Sequence, residues 1–204
     1  MRVYAESNLV LEHVLEQDQW KACEAVLLLA ERARIELVLP AFALLEPYQT
    51  IERRSLDRQP YAKWLGDIAV KLGQTASLKA DVHHFTESKE ILTRASENAR
   101  ARYDATRKRL LDAARLIEID AKVIGAATSL QTLKLKLPDA LILSCILSDV
   151  GRQPEASSLF LNANKDDFSD NPDVRSKLKA VNCRLVPSFE DGLRAIKAAL
   201  EPGA

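Results

Sequence analysis

The sequence predicts an α/β domain in which a parallel sheet is covered on both faces by helices, an α/β/α arrangement interrupted by a long helical insertion. Three observations carry that prediction. Short apolar runs alternate with amphipathic helical stretches at both ends of the chain, which is the βαβ rhythm. Between Gly73 and Gly125 there is neither Gly nor Pro, and Leu78, Val82, Phe85, Leu92, Ala95, Ala99, Tyr103, Leu110 and Ala114 recur at three- and four-residue steps or their multiples, which reads as one long amphipathic helix. Finally, 204 residues suit one domain better than two. The domain is therefore expected to span 1–204, with the helical insertion at 53–136.

Element by element, RVYA is a short strand that runs out at Glu6, and LVLEHVL continues into a helix. DQWKACEAVLLLAERAR predicts a second helix, with Asp18 as N-cap and Trp20, Cys23, Leu27 and Ala30 on one face. IELVLP, closed by Pro40, predicts a buried strand. FALLEPYQTIERR is helical but interrupted by Pro47, which disfavours helical geometry at Glu46 and predicts a helix break there. In the last third, a buried helix opens at Pro138, SSLFLNA is a strand, Asn171 and Pro172 open a short helix, NCRLVPS is a strand, and Ser188 caps a final helix.

Composition narrows the class. Hydrophobic residues make up 47% and charged residues 28%, the balance of a globular protein. No secretory leader pattern stands at the N-terminus and no apolar run approaches the roughly 20 residues needed to span a bilayer, so the expectation is a cytoplasmic protein without a membrane partner. Cys23, Cys145 and Cys183 are widely separated and lack metal-binding spacing, so they are expected to be core thiols. The net charge is zero, yet residues 53 to 115 hold 14 Lys and Arg against 8 Asp and Glu, a net of +6 that the remainder balances with −6.

In an open parallel sheet the functional crevice lies outside the carboxyl ends of the strands. Glu6 follows the first strand, Glu46 lies beyond the second, Asp139 sits in the first turn of the buried helix and Asp167 follows LFLNA. Acids gathered at that edge repel one another unless a cation offsets them, and hard oxygen ligands select Mg²⁺ or Mn²⁺. The plainer readings are a dipole-favoured acid for Asp139 and a turn residue for Asp167.

These residues resemble a family, the PIN domain, a metal-dependent ribonuclease fold common among toxin nucleases. Glu6-Ser7-Asn8 is similar to its strand-end Asp-Thr-Asn, Glu46 to its helix acid, Leu137-Pro138-Asp139-Ala140 to its Pro-Asp-Ala stretch, and Asn164-Lys165-Asp166-Asp167-Phe168 to its last acidic turn. The match runs through residues 1 to 51 and 137 to 200, in order. It departs in having Glu for Asp at the first acid and Pro47 after the second. The resemblance implies an endoribonuclease with Glu6, Glu46, Asp139 and Asp167 as catalytic metal ligands, supported by Ser7, Asn8 and Asn164. It implies RNA as substrate and a protein antitoxin or a second copy as partner. The two departures motivate the alternative, a PIN-like module without catalysis that serves as an RNA- or protein-binding scaffold.

An acidic pocket repels a polyanion, so positive charge is needed elsewhere to hold RNA. Arg94, Arg100, Arg102, Arg107, Lys108 and Arg109 are the expected phosphate contacts, with a solvated, internally ion-paired helix face as the plainer reading. His83 and His84 are adjacent, about 100° apart on a helix, and are expected not to share a metal. Tyr61, Trp64 and Tyr103 could stack on bases, but at helical spacing they are expected to be core.

Overall fold

The computed structural model describes residues 1–152, 157–163 and 168–201. Its elements are β1 (Arg2–Tyr4), α1 (Ser7–Val14), α2 (Trp20–Glu31), β2 (Glu36–Pro40), α3 (Phe42–Leu72), α4 (Val82–Ala113), β3 (Ala114–Ile117), α5 (Ala121–Leu130), α6 (Leu137–Gly151), β4 (Ser158–Leu161), α7 (Pro172–Ala180), β5 (Cys183–Val186) and α8 (Phe189–Leu200). Residues 1–47 with 106–204 form one compact unit, and residues 48–105 form a second.

In the first unit five strands make one sheet in the order β3-β2-β1-β4-β5, parallel at every step. The chain builds outward from β1 through β2 to β3, then returns to the other side of β1 for β4 and β5. The order thus reverses between β1 and β4, the kind of switch point beside which open α/β sheets bind ligands. Register follows from the period of two along a strand. Tyr4, Val38 and Phe160 join one buried cluster with Val123, Ala127, Ile142, Leu143, Ile146, Val174 and Leu178 from α5, α6 and α7. Their strand neighbours Val3, Leu37, Leu39, Leu159 and Leu161, also buried, point the other way by alternation. There α8 packs so closely on β4 that a Cβ on Gly192 would come within 2.4 Å of Leu161 Cδ2. Each fully buried Leu, Val or Phe contributes about 1.5–3 kcal/mol, so these two layers hold the sheet. The three cysteines are buried free thiols, as expected.

Caps account for several boundaries. Asn171 accepts from the amides of Asp173 and Val174, and Ser188 from that of Asp191, as the sequence suggests. Asp18 does not cap α2: the N-cap is Gln19, whose side chain is engaged elsewhere. Gln19 Oε1 accepts from Ser188 Oγ (3.0 Å) and the amides of Phe189 (2.7 Å) and Glu190 (3.3 Å), tying α2 to the start of α8.

Three expectations are corrected. The segment 53–136 is not helical throughout, because Ala114–Ile117 pairs with β2 as the edge strand β3 and Asp120 then caps a separate helix, α5. Its burial is partial, as an edge strand requires, so it lacks the apolar run that announces β2. The long helix does not extend from Gly73: turns and then a short 3-10 helix, Lys79–Asp81, occupy the stretch before Val82, where α4 begins. Nor does Pro47 break α3, which runs through both Pro47 and Pro60. Proline forfeits one backbone bond and crowds the carbonyl four residues back, a cost of about 3 kcal/mol that a helix of this length absorbs when other contacts hold both sides.

In the second unit, Ile51, Ser55 and Ala69 of α3 and Ser96, Ala99 and Tyr103 of α4 are buried. The rings of Tyr48 and Tyr103 are 5.8 Å apart, and Arg100 grips Glu52 through two hydrogen bonds of 2.6 and 3.0 Å while also donating to Ser55 Oγ at 3.0 Å. Tyr103 is core as expected, but Tyr61 and Trp64 are 66% and 58% exposed. Among the described residues no helix is long and apolar enough to cross a membrane.

Candidate functional site

The site grows from the end of β1. Tyr4 is the last strand residue, and Glu6 turns the chain into α1 in an extended conformation (φ −136°, ψ −171°) that suits an N-cap. Its Oε2 accepts from the Asn8 amide at 3.0 Å. The residue is only 4% exposed, and Oε1 is buried with no hydrogen-bond partner among the described residues. A carboxylate at a helix N-terminus is ordinarily favoured by the dipole. Here burial outweighs it: desolvation, reinforced by the charges of Glu46 and Asp139 and only partly opposed by hydrogen bonds from Asn8, pushes the Glu6 carboxyl up to about 8.

Glu46 enters from the second turn of α3 and is half-buried; Ser7 Oγ donates to its Oε2. Asp139 enters from the first turn of α6, whose N-cap, Lys136, makes no side-chain cap bond. The electrostatic action of Glu46 and Asp139 on Glu6 places three of the four expected acids in one neighbourhood, beside the switch point. Asn8 donates its backbone amide to Glu6, and Ser7 donates its hydroxyl to the second acid, Glu46. Asn164 and Asp167 lie outside the described residues. Chemically, an oxygen-only donor set with one bare buried carboxylate oxygen is suited to a hard divalent cation, whose charge would hold Glu6 ionised.

The same face of the sheet carries a second, different polar cluster. Tyr4 donates its hydroxyl to Asp149 Oδ2 (2.7 Å), and Arg115 donates to both oxygens of Asp149 (2.8 and 2.7 Å) and to Glu36 Oε1 (2.7 Å). Arg2 donates to Glu36 Oε2 at 3.0 Å. Burial alone would raise the Asp149 carboxyl, but the bonds from Arg115 and Tyr4 outweigh it and hold it below its usual value. These acids are matched by arginines and make structure, not a reaction centre. The thiols do not compete as nucleophiles, since burial raises Cys145 to about 11 and Cys23 higher still.

The expected phosphate contacts divide. Arg100 is committed to Glu52, and Arg109 to Glu24 (2.8 and 3.0 Å) and Glu31 (2.6 and 3.2 Å), so neither is a ready phosphate donor. Glu24 also sits 2.7 Å from His13 Nε2. Arg94, Arg107 and Lys108 are exposed and Arg102 is half-buried, and Arg102 and Arg107 have interactions of their own. The exposed aromatics add what spacing did not reveal: Tyr61 and Trp64 lie three apart on α3, near Arg53, Arg54 and Lys63 in sequence. Exposed aromatic rings interleaved with cations are a common platform for unpaired bases. No protein-family model, no curated protein and no solved structure matches this chain.

Proposed function

We propose that the chain is a PIN-type metal-dependent endoribonuclease, acting on single-stranded RNA. The observation that carries this reading is Glu6: a buried carboxylate with a bare oxygen, set at the carboxyl end of the central strand among the charges of two further acids. Glu6, Glu46 and Asp139 would hold Mg²⁺ or Mn²⁺, with Asp167 as the fourth ligand the sequence suggests. Such an ion, when bound, lowers the pKa of its water and offsets charge on a phosphodiester. Asn8 orients Glu6, and Ser7 orients Glu46, so that the ligands are placed before the ion arrives. The exposed cations and aromatics of the helical segment offer backbone charge neutralisation and base stacking, contacts that give affinity without sequence specificity.

Asp139→Asn removes a ligand charge while keeping the shape of the first turn of α6. The expected result is loss of Mn²⁺-dependent cleavage of a single-stranded RNA, with an unchanged circular-dichroism spectrum; cleavage at the wild-type rate would defeat the proposal. The second reading, a binding scaffold of the same fold, is favoured by the engagement of Glu6 as a helix cap. Calorimetric titration with Mn²⁺ separates the two, because a scaffold without a metal centre gives no heat that disappears in Asp139→Asn or Glu46→Gln.

A further inference from the structure

A second, chemically distinct cluster lies at the start of α4. The chain has three histidines, and two of them are consecutive there, His83 and His84, followed by Glu87. Glu87 is four residues beyond His83 and three beyond His84, the two spacings that bring helix side chains together. The imidazole rings do not diverge as their 100° separation suggests: their centroids are 3.8 Å apart, and one ligand atom from each of the three residues lies within 4.8 Å of the others. All three are exposed.

The tautomer of His83 is fixed by a neighbour. Its Nδ1 lies 2.7 Å from the carbonyl oxygen of Ala80. A carbonyl only accepts, so Nδ1 carries the proton and, in the neutral ring, Nε2 presents its lone pair outward. An imidazole pinned through one nitrogen to a backbone carbonyl, with the other nitrogen bare, is the arrangement metal-ligating histidines adopt. Imidazole and carboxylate donors together suit Zn²⁺ and its later-transition-metal neighbours better than Mg²⁺ or Mn²⁺.

We propose that His83, His84 and Glu87 form a surface site for Zn²⁺, with water completing the coordination. The side chains close by bond rotation, which their exposure permits. The ligands span little more than one turn, so the bound ion acts as a clip on the first turns of α4. Starting a helix is the unfavourable step in forming it, and the clip falls where a short 3-10 turn, Lys79–Asp81, gives way to this 32-residue helix.

The test is calorimetric titration of the full chain with Zn²⁺ in excess Mg²⁺, alongside His83→Ala, His84→Ala and Asp139→Asn. Either histidine substitution is expected to weaken Zn²⁺ binding by more than about tenfold, while Asp139→Asn leaves it unchanged even where it abolishes cleavage. Hydrogen exchange of the amides from 82 to 90 should slow on adding Zn²⁺ to wild type and not to His83→Ala. An isotherm that is the same in wild type and both histidine variants, or affinity no better than millimolar in wild type, overturns the proposal. So does Zn²⁺ binding that is lost in Asp139→Asn, which would assign the ion to the acidic cluster instead.

Discussion

Two polar clusters bracket the central strand β1, and they treat charge in opposite ways. At its start, Arg2 meets Glu36, and Arg115 bridges Glu36 to Asp149, so the exposed Glu36 and the buried Asp149 each have a guanidinium within hydrogen-bond reach. Past its end, the charges that act on Glu6 among the described residues are both carboxylates. The first arrangement lowers the pKa of its acids, and the second raises that of Glu6 to about 8. Both lie in the same folded unit, so their difference is not one of general environment. Within the second cluster Glu6 keeps one buried carboxylate oxygen without a hydrogen-bond partner among the described residues, and that oxygen is what the proposed metal reading rests on.

The sharpest way to break the comparison is to remove an acid from each side. Asp149→Ala leaves the buried Tyr4 hydroxyl without its acceptor and Arg115 with Glu36 as its remaining carboxylate partner; with Arg115 partly in water, the expected loss is about 2–4 kcal/mol in urea unfolding, with Mn²⁺ binding retained. Glu6→Gln should act in the opposite direction. The folded-state pKa of Glu6 lies above its ordinary value of 4.5, so the folded chain holds that proton more tightly than the unfolded one. The contribution of Glu6 to stability is then fully present below about 4.5 and is lost as pH rises toward 8, levelling off beyond. In metal-free protein the amide abolishes that decline and is expected to stabilise the chain by about 2 kcal/mol or more at high pH. A slope that persists in Glu6→Gln would assign it to another group. Mn²⁺ should raise the melting temperature of wild type at pH 8 and leave Asp139→Asn unmoved. Smallest is Ser7→Ala, which removes one hydrogen bond to Glu46: about 1 kcal/mol of stability, with a loss of about tenfold in Mn²⁺ affinity that distinguishes a supporting role from a structural one.

Much of the α/β pattern was legible because burial writes itself into period. The runs at β1, β2, β4 and β5 are apolar enough to stand out, and Asn171 and Ser188 mark their helix starts by side-chain chemistry. β3 was not legible, because Ala114 continues the helical spacing of α4 and neither Gly nor Pro marks the boundary. Position alone revealed Glu6, Glu46 and Asp139, acids at the ends of apolar elements. Pairing was hidden: nothing local to Arg100 says that Glu52 takes it, or to Arg109 that Glu24 and Glu31 do. Exposure was hidden too, for helical spacing does not distinguish the outward Trp64 from the buried Tyr103.

The first strand of the chain is the middle strand of the sheet, and that has a consequence during synthesis. β2 can pair with β1 soon after both emerge, but the other edge of β1 waits for β4, which begins only at Ser158. At ordinary translation rates the delay is on the order of 10–30 s. Through that interval the nascent chain presents an unsatisfied row of backbone groups beside Val3 and Tyr4, a template for pairing with a neighbouring chain. Until β4 is made, pairing of that edge with a second chain competes with folding of the sheet.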